Sequence, residues 1–151
     1  MVMADPVASI ALELQRVINR LLFLEKRTIL EHGGVKLHPS EIHLMLVVHE
    51  DGPVNVTRAA RRLAVTKGAV SQTLTRLVRK GMLSRDRDPD HGSELRITLT
   101  AAGQLALAQF ELDRAPLRQA HATYLASLSA RDAQVIRSFL TEMERFLGGL
   151  E

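Results

Sequence analysis

Between Asn55 and Arg85 the chain carries no acidic residue, yet Val70, Leu74, Leu77 and Val78 recur inside that run at helical spacing. The apolar positions demand a helix with one side packed into a core. The other side holds Lys67, Gly68, Ser71, Gln72, Thr75 and Arg76, which are short-chained or basic and lack the Glu and Asp of an ordinary solvated face. Thr66 supplies an N-cap before this helix and Gly81 a stop after it. Just upstream, Asn55 can cap a shorter helix over 55–64, with Ala59, Ala60 and Leu63 inward and Arg58, Arg61 and Arg62 outward. Two helices joined by so tight a connection must cross at an angle and share one core.

Downstream, MLSRD (82–86) and ELRITL (94–99) read as two strands, with Leu95, Ile97 and Leu99 alternating with polar residues. The loop RDPDHGS joins them as a hairpin. Two strands alone are marginal in water, so the hairpin must lean on the helices. Helix, tight turn, helix and hairpin together form a winged helix-turn-helix. In such a unit the second helix enters the DNA major groove with its N-terminal residues nearest the base edges. That destination explains a face built of hydroxyls, an amide and cations.

Chemistry suggests the roles. Gln72 suits adenine, and Arg76 or Lys67 suits guanine, each pair discriminating by about 1–3 kcal/mol. Thr66, Ser71 and Thr75 suit phosphate oxygens, which set register without reading sequence. Arg79, Lys80 and Arg58 are expected on the DNA backbone, and Gly68 where backbones come close. The bland reading of the same residues is a solvated basic helix face, with Gly68 merely tolerated in a first turn.

Charge distribution agrees with an anionic partner. The chain of 151 residues has a formal charge of +3. Residues 55–97 hold ten basic and four acidic residues, so this segment is +6 and the remainder −3. Hydrophobic residues make up 46% and aromatics 3%, which fits an aliphatic, mainly helical core. There is no cysteine, so disulfides and thiolate chemistry are excluded. Glu13, Arg16 and Arg20 interrupt the apolar N-terminus, so neither a signal peptide nor a membrane span is expected, and the cytoplasm is the default location.

The flanks read as helices. Residues 5–31 form one long helix with Val7, Ile10, Leu14, Val17, Leu21 and Leu24 in a heptad-like stripe, stopped by Gly33-Gly34. The bland reading is a helix packed on its own core; so broad a terminal apolar face favours packing against a second chain. A further helix spans 39–50, with Ile42, Met45, Leu46 and His49 on one side. Thr100 caps a long helix from Ala101, kinked at Pro116, and Ser129 with Asp132 opens a last one carrying Ile136, Phe139, Leu140, Met143, Phe146 and Leu147.

Residues 37–103 resemble the winged-helix regulators of the multiple-antibiotic-resistance (MarR) type. The resemblance lies in GPVNVTRAARRLAVTKGAVSQTLTRLVRKGML (52–83), RDPD in the wing and ITLTAAG (97–103). It implies a mainly α fold, with a winged helix-turn-helix DNA-binding region at 37–100 and a helical dimerisation region from 1–36 and 101–151. It also implies a homodimer on a pseudo-palindromic operator, usually a repressor released by a small-molecule effector, with double-stranded DNA as partner and no cofactor. No motif marks a ligand pocket, which the resemblance would put between the first, second and fifth helices. The family's wing carries an Asp-Arg pair near its tip, where this chain has His91-Gly92-Ser93. Arg85 and Arg87 are the nearest substitutes. Where the family has Gly in the turn, this chain has Ala64, so a turn without positive φ is expected.

Two alternatives stand beside this reading. Four of the six histidines (His32, His38, His43, His49) lie near Glu31, Glu41 and Glu50, which raises a metal-responsive version of the same machine, although no familiar ligand spacing is present. The other is a winged helix that binds an acidic protein instead of DNA. No enzyme motif is present: no nucleophile elbow, no phosphate loop and no sheltered carboxylate pair.

Overall fold

The computed structural model describes residues 6–27, 29–87 and 95–148. Its elements are α1 (Pro6–Arg27), β1 (Leu30–His32), β2 (Val35–Leu37), α2 (Pro39–Asp51), α3 (Val56–Leu63), α4 (Lys67–Arg79), β3 (Leu83–Arg87), β4 (Leu95–Leu99), α5 (Ala101–Ala126) and α6 (Ala130–Gly148). The fold is mainly α with small antiparallel hairpins, as the sequence implies.

Helix α2 is the axle of the lobe. Glu41, Ile42, Leu44, Met45, Val47 and Val48 are all buried, so the helix is enclosed on most of its circumference. Helices α3, α4 and α5 and strand β4 pack around it. Leu37, Ile42, Leu44, Met45, Leu77, Leu83 and Ile97 are fully buried, each contributing about 1.5–3 kcal/mol of transfer free energy. His49, expected on the apolar side, is exposed. It follows the buried pair Val47 and Val48 at the end of α2, where the helix runs out of the lobe.

Residues 5–31 are not one helix. The first helix ends at Arg27, and Leu30–His32 pairs antiparallel with Val35–Leu37. Gly33 and Gly34 have φ of +56° and +78° and make the two-residue turn of this hairpin. Successive positive φ values are what such a turn needs. Leu30 and Leu37, directly opposite one another, both enter the core.

The hairpin β3–β4 runs in register from Leu83↔Leu99 to Arg87↔Leu95. It leans on the helices as expected. Ile97 is fully buried and exchanges backbone hydrogen bonds with Val54 (2.8 and 3.2 Å). The expected tip residues His91, Gly92 and Ser93, with Glu94, lie outside the described residues.

Helix α5 belongs to two environments. Gly103, Ala106, Leu107 and Phe110 are buried in the lobe, while Leu112, Leu117 and Leu125 are exposed. The packing therefore has no break at residue 101, and β1 as well as the start of α5 shares the lobe's core. The helix continues through Pro116 to Ala126. Helices α1 and α6 expose Ile10, Val17, Leu21, Phe139, Leu140 and Phe146. Among the described residues no helix is long and apolar enough to cross a membrane.

Candidate nucleic-acid interface

Local capping sets the two crossed helices. The Asn55 side chain accepts a hydrogen bond from the Arg58 backbone N–H at 2.8 Å, and Thr66 Oγ1 accepts from the Ala69 N–H at 3.2 Å. Between them, Ala64 adopts φ 52° and ψ 46°, the left-handed conformation. The Val65 N–H reaches the Ala60 carbonyl (3.1 Å) and the Ala64 N–H the Arg61 carbonyl (3.3 Å). This pair of bonds is the Schellman helix ending, which turns the chain sharply into α4. The expectation of a turn without positive φ is thus overturned. The helix ending requires αL whichever residue fills it.

Helix α4 buries Val70, Thr73, Leu74 and Leu77. Its outer face exposes Thr66, Lys67, Gly68, Ser71, Gln72, Thr75 and Arg79. Lys67 and Arg79 have no ion-pair partner among the described residues. A methyl group at Gly68 would meet only Thr66 Oγ1, at 3.8 Å, so nothing inside the protein requires glycine there. The Thr75 hydroxyl donates to the Ser71 carbonyl (2.9 Å), which leaves its lone pairs outward.

Two cations of α3 are partnered. Arg58 Nε donates to Asp51 (3.2 Å), and Arg62 reaches Glu50 (2.9 Å) and Asp51 (3.5 Å). Glu50 and Asp51 close α2, where the helix dipole disfavours acids, so arginines from α3 offset that penalty. These pairs are partly exposed and worth about 0.2–1 kcal/mol each. On the hairpin, Arg85 and Arg87 are exposed and share one face of β3, with Asp86 between them on the other.

The sequence reading named Glu41 only as an acid beside the histidines, yet it organises the end of α4. It is fully buried. Its carboxylate accepts from the His38 backbone N–H (2.9 Å) and from Lys80 Nζ on both oxygens (2.7 and 2.8 Å). Arg76 Nε stands 3.6 Å from it. Lys80 also donates to the Lys36 carbonyl (2.7 Å), and Arg76 to Thr73 Oγ1 (2.9 Å). Lys80, expected on the DNA backbone, therefore faces inward, because a buried carboxylate needs a cation. Burial pushes the Glu41 carboxyl up. The His38 N–H, the Lys80 ammonium and the His38 charge outweigh it and hold the carboxyl below its ordinary value. Its sequence trace was only an acid three residues into a helix, the position of a capping box.

Among the described residues, no three His, Asp or Glu side chains come together as a metal site, so the metal-responsive reading finds no support there. Open hollows lie along α6, lined by Leu125, Ile136, Leu140 and Met143, and between α2 and α4, lined by His43, Leu44, Val65 and Thr73. Both differ from the expected place between α1, α2 and α5.

Comparison with known proteins bears on this geometry. Residues 35–92 match the model of the MarR family. An uncharacterised HTH-type transcriptional regulator of Bacillus subtilis strain 168, YhjH, is 37% identical over 75 residues, covering 49% of this chain and 43% of that protein. The match thus spans less than half of that relative's length. Streptococcus pneumoniae FabT, solved in complex with DNA, superposes with a TM-score of 0.75 at 23% identity, over 96% of this chain and 99% of that one. Bordetella bronchiseptica BpsR, from a study of the regulation of its DNA binding by 6-hydroxynicotinic acid, gives 0.61 at 18% identity, over 90% and 98%. At such identities the structural likeness speaks to the fold.

Proposed function

From the match of residues 35–92 to the MarR family we propose that the chain is a MarR-type winged-helix protein and a homodimeric, sequence-specific DNA-binding regulator. It acts as a repressor of a pseudo-palindromic operator and is released by a small-molecule effector. The observation that carries the DNA reading is the outer face of α4. Thr66, Lys67, Gly68, Ser71, Gln72, Thr75 and Arg79 are exposed together, with no acid on that helix and, among the described residues, no ion-pair partner for Lys67 or Arg79. Gln72 reads a base, Thr66, Ser71 and Thr75 take phosphates, and Arg79 holds the backbone. Arg85 and Arg87 on β3 place two more cations for the wing. Arg58 joins only by leaving Asp51.

The dimer reading rests on the exposed apolar side chains of α1, α6 and the second half of α5, which in water call for a partner of the same chemistry. Two-fold symmetry then places two lobes on half-sites about one helical turn apart. The effector reading rests on the family alone.

A salt titration on duplex DNA tests the proposal. Log K is expected to fall linearly with log salt, by about 0.9 for each phosphate contacted. No measurable duplex binding at low salt would overturn it in favour of an acidic protein partner.

A further inference from the structure

The geometry points to Glu41 as a positioning residue for the reading helix: its buried carboxylate, with Thr73, holds Arg76 in one direction at the edge of the exposed face of α4, so that Arg76 addresses one base position instead of any nearby phosphate. This rests on the DNA-binding reading above and adds to it the residue that directs one of its contacts.

The donor arithmetic supports the assignment. A carboxylate offers about four lone-pair sites. The His38 N–H and the two contacts from Lys80 fill three of them at 2.7–2.9 Å. Arg76 takes the remaining side at 3.6 Å, a looser ion pair. Its Nη2 is fixed on Thr73 Oγ1 at 2.9 Å. Two braces on a planar fork leave it one orientation. They occupy the Nε side, and the Nη1 hydrogens remain for an outside acceptor. The Arg76 side chain is 43% exposed and that of Lys80 27%, so Arg76 is the cation that DNA can reach. Lys80 keeps the Lys36 carbonyl whatever happens at Glu41.

Glu41→Gln separates the two roles. The amide preserves shape and can still accept from His38 and Lys80, but it removes the charge that restrains Arg76. A released arginine is a mobile cation, which gains phosphate contacts on any sequence and loses its aim.

The experiment first selects preferred duplexes from a random library with the wild-type protein. Binding of the wild type and of Glu41→Gln is then measured on the preferred duplex and on a scrambled one, across salt. The variant is expected to lose about 5- to 150-fold in preference, the range of one directed base contact. Its salt slope on scrambled DNA should steepen by about 0.9. Arg76→Ala should lower preference in the wild-type background; beside Glu41→Gln it should lower preference no further and should abolish the added salt slope. Should Glu41→Gln fold poorly, Thr73→Val removes the other brace without touching charge and should lose preference in the same way. Parallel weakening on both duplexes, or unchanged preference, would show that Glu41 only holds the lobe together. If the wild type enriches no sequence, the DNA-reading proposal falls and this inference with it.

Discussion

Gly103 and Met82 meet backbone to backbone. A methyl group on Gly103 would stand 2.1 Å from the Met82 carbonyl oxygen and 2.9 Å from Leu99 Cδ2. The same carbonyl accepts from the Thr100 N–H (3.1 Å), and the Thr100 hydroxyl donates to the Gly81 carbonyl (2.6 Å) while accepting from the Gly103 N–H (3.0 Å). One residue thus ties the end of the reading helix, the hairpin and the start of α5.

Gly103→Ala is therefore expected to destabilise the lobe by about 1–3 kcal/mol, the usual penalty of overpacking, because a carbonyl in a helix junction cannot swing away. Urea unfolding checks it. An unchanged midpoint would mean the junction is slack.

At Ala64 the opposite is expected. An L-residue with φ 52° carries a steric penalty of about 1–2 kcal/mol that glycine lacks, partly offset by the extra freedom of glycine in the unfolded chain. Ala64→Gly should raise stability by about 0.5–1 kcal/mol in thermal or urea melts. A loss of stability would show that the Ala64 methyl makes a contact worth more than the strain.

Two substitutions on α4 separate reading from holding. Gln72→Ala should relax base preference at one position in each half-site, by about 1–3 kcal/mol. Arg79→Ala should weaken all sequences alike and flatten the salt slope by about 0.9. Binding measured against a panel of single-base operator variants distinguishes them. Identical behaviour would mean that another element reads the DNA.

Acid should weaken the lobe through Glu41. Its carboxyl lies below the ordinary 4.5 in the folded protein, so its contribution is present above that value and is lost as pH falls through the folded value. The stability difference between wild type and Glu41→Gln should be constant near neutral pH and shrink below about pH 4.5. Urea melts of both proteins across pH would show it. A difference that grows in acid would contradict the sign.

Leu21→Glu and Phe139→Glu place charges on the exposed apolar faces of α1 and α6. Sedimentation should show a shift toward monomer, with at least about a tenfold loss of DNA affinity as the two half-sites uncouple. An unchanged sedimentation coefficient would remove these faces from the interface.

What could be read in advance followed from periodicity and caps. Val70, Leu74 and Leu77, with Asn55, Thr66 and Thr100 as caps, fall where spacing and cap chemistry put them. The hairpin β1–β2 escaped because three-residue strands show no period, and Gly33-Gly34 suits a helix stop as well as a tight turn. Glu41 escaped for a different reason. Its partners Arg76 and Lys80 lie 35 and 39 residues away, and no local pattern announces which acid the fold will enclose. His49 misled because helical spacing ranks faces but does not say where a helix emerges from its core. The histidine cluster looked promising in the sequence because proximity along a chain is not convergence in space.

Pro116 sits six residues past Phe110, the last buried side chain of α5. Lacking an N–H, it removes one rung of the helix beyond the residues that the lobe buries. At about 1.5 Å per residue, α5 is a rod of roughly 39 Å whose stiffness dips at one known place. Helix α5 thus has a mechanical weak point written into the chain, thirteen residues beyond the Gly103 that locks its start to the lobe.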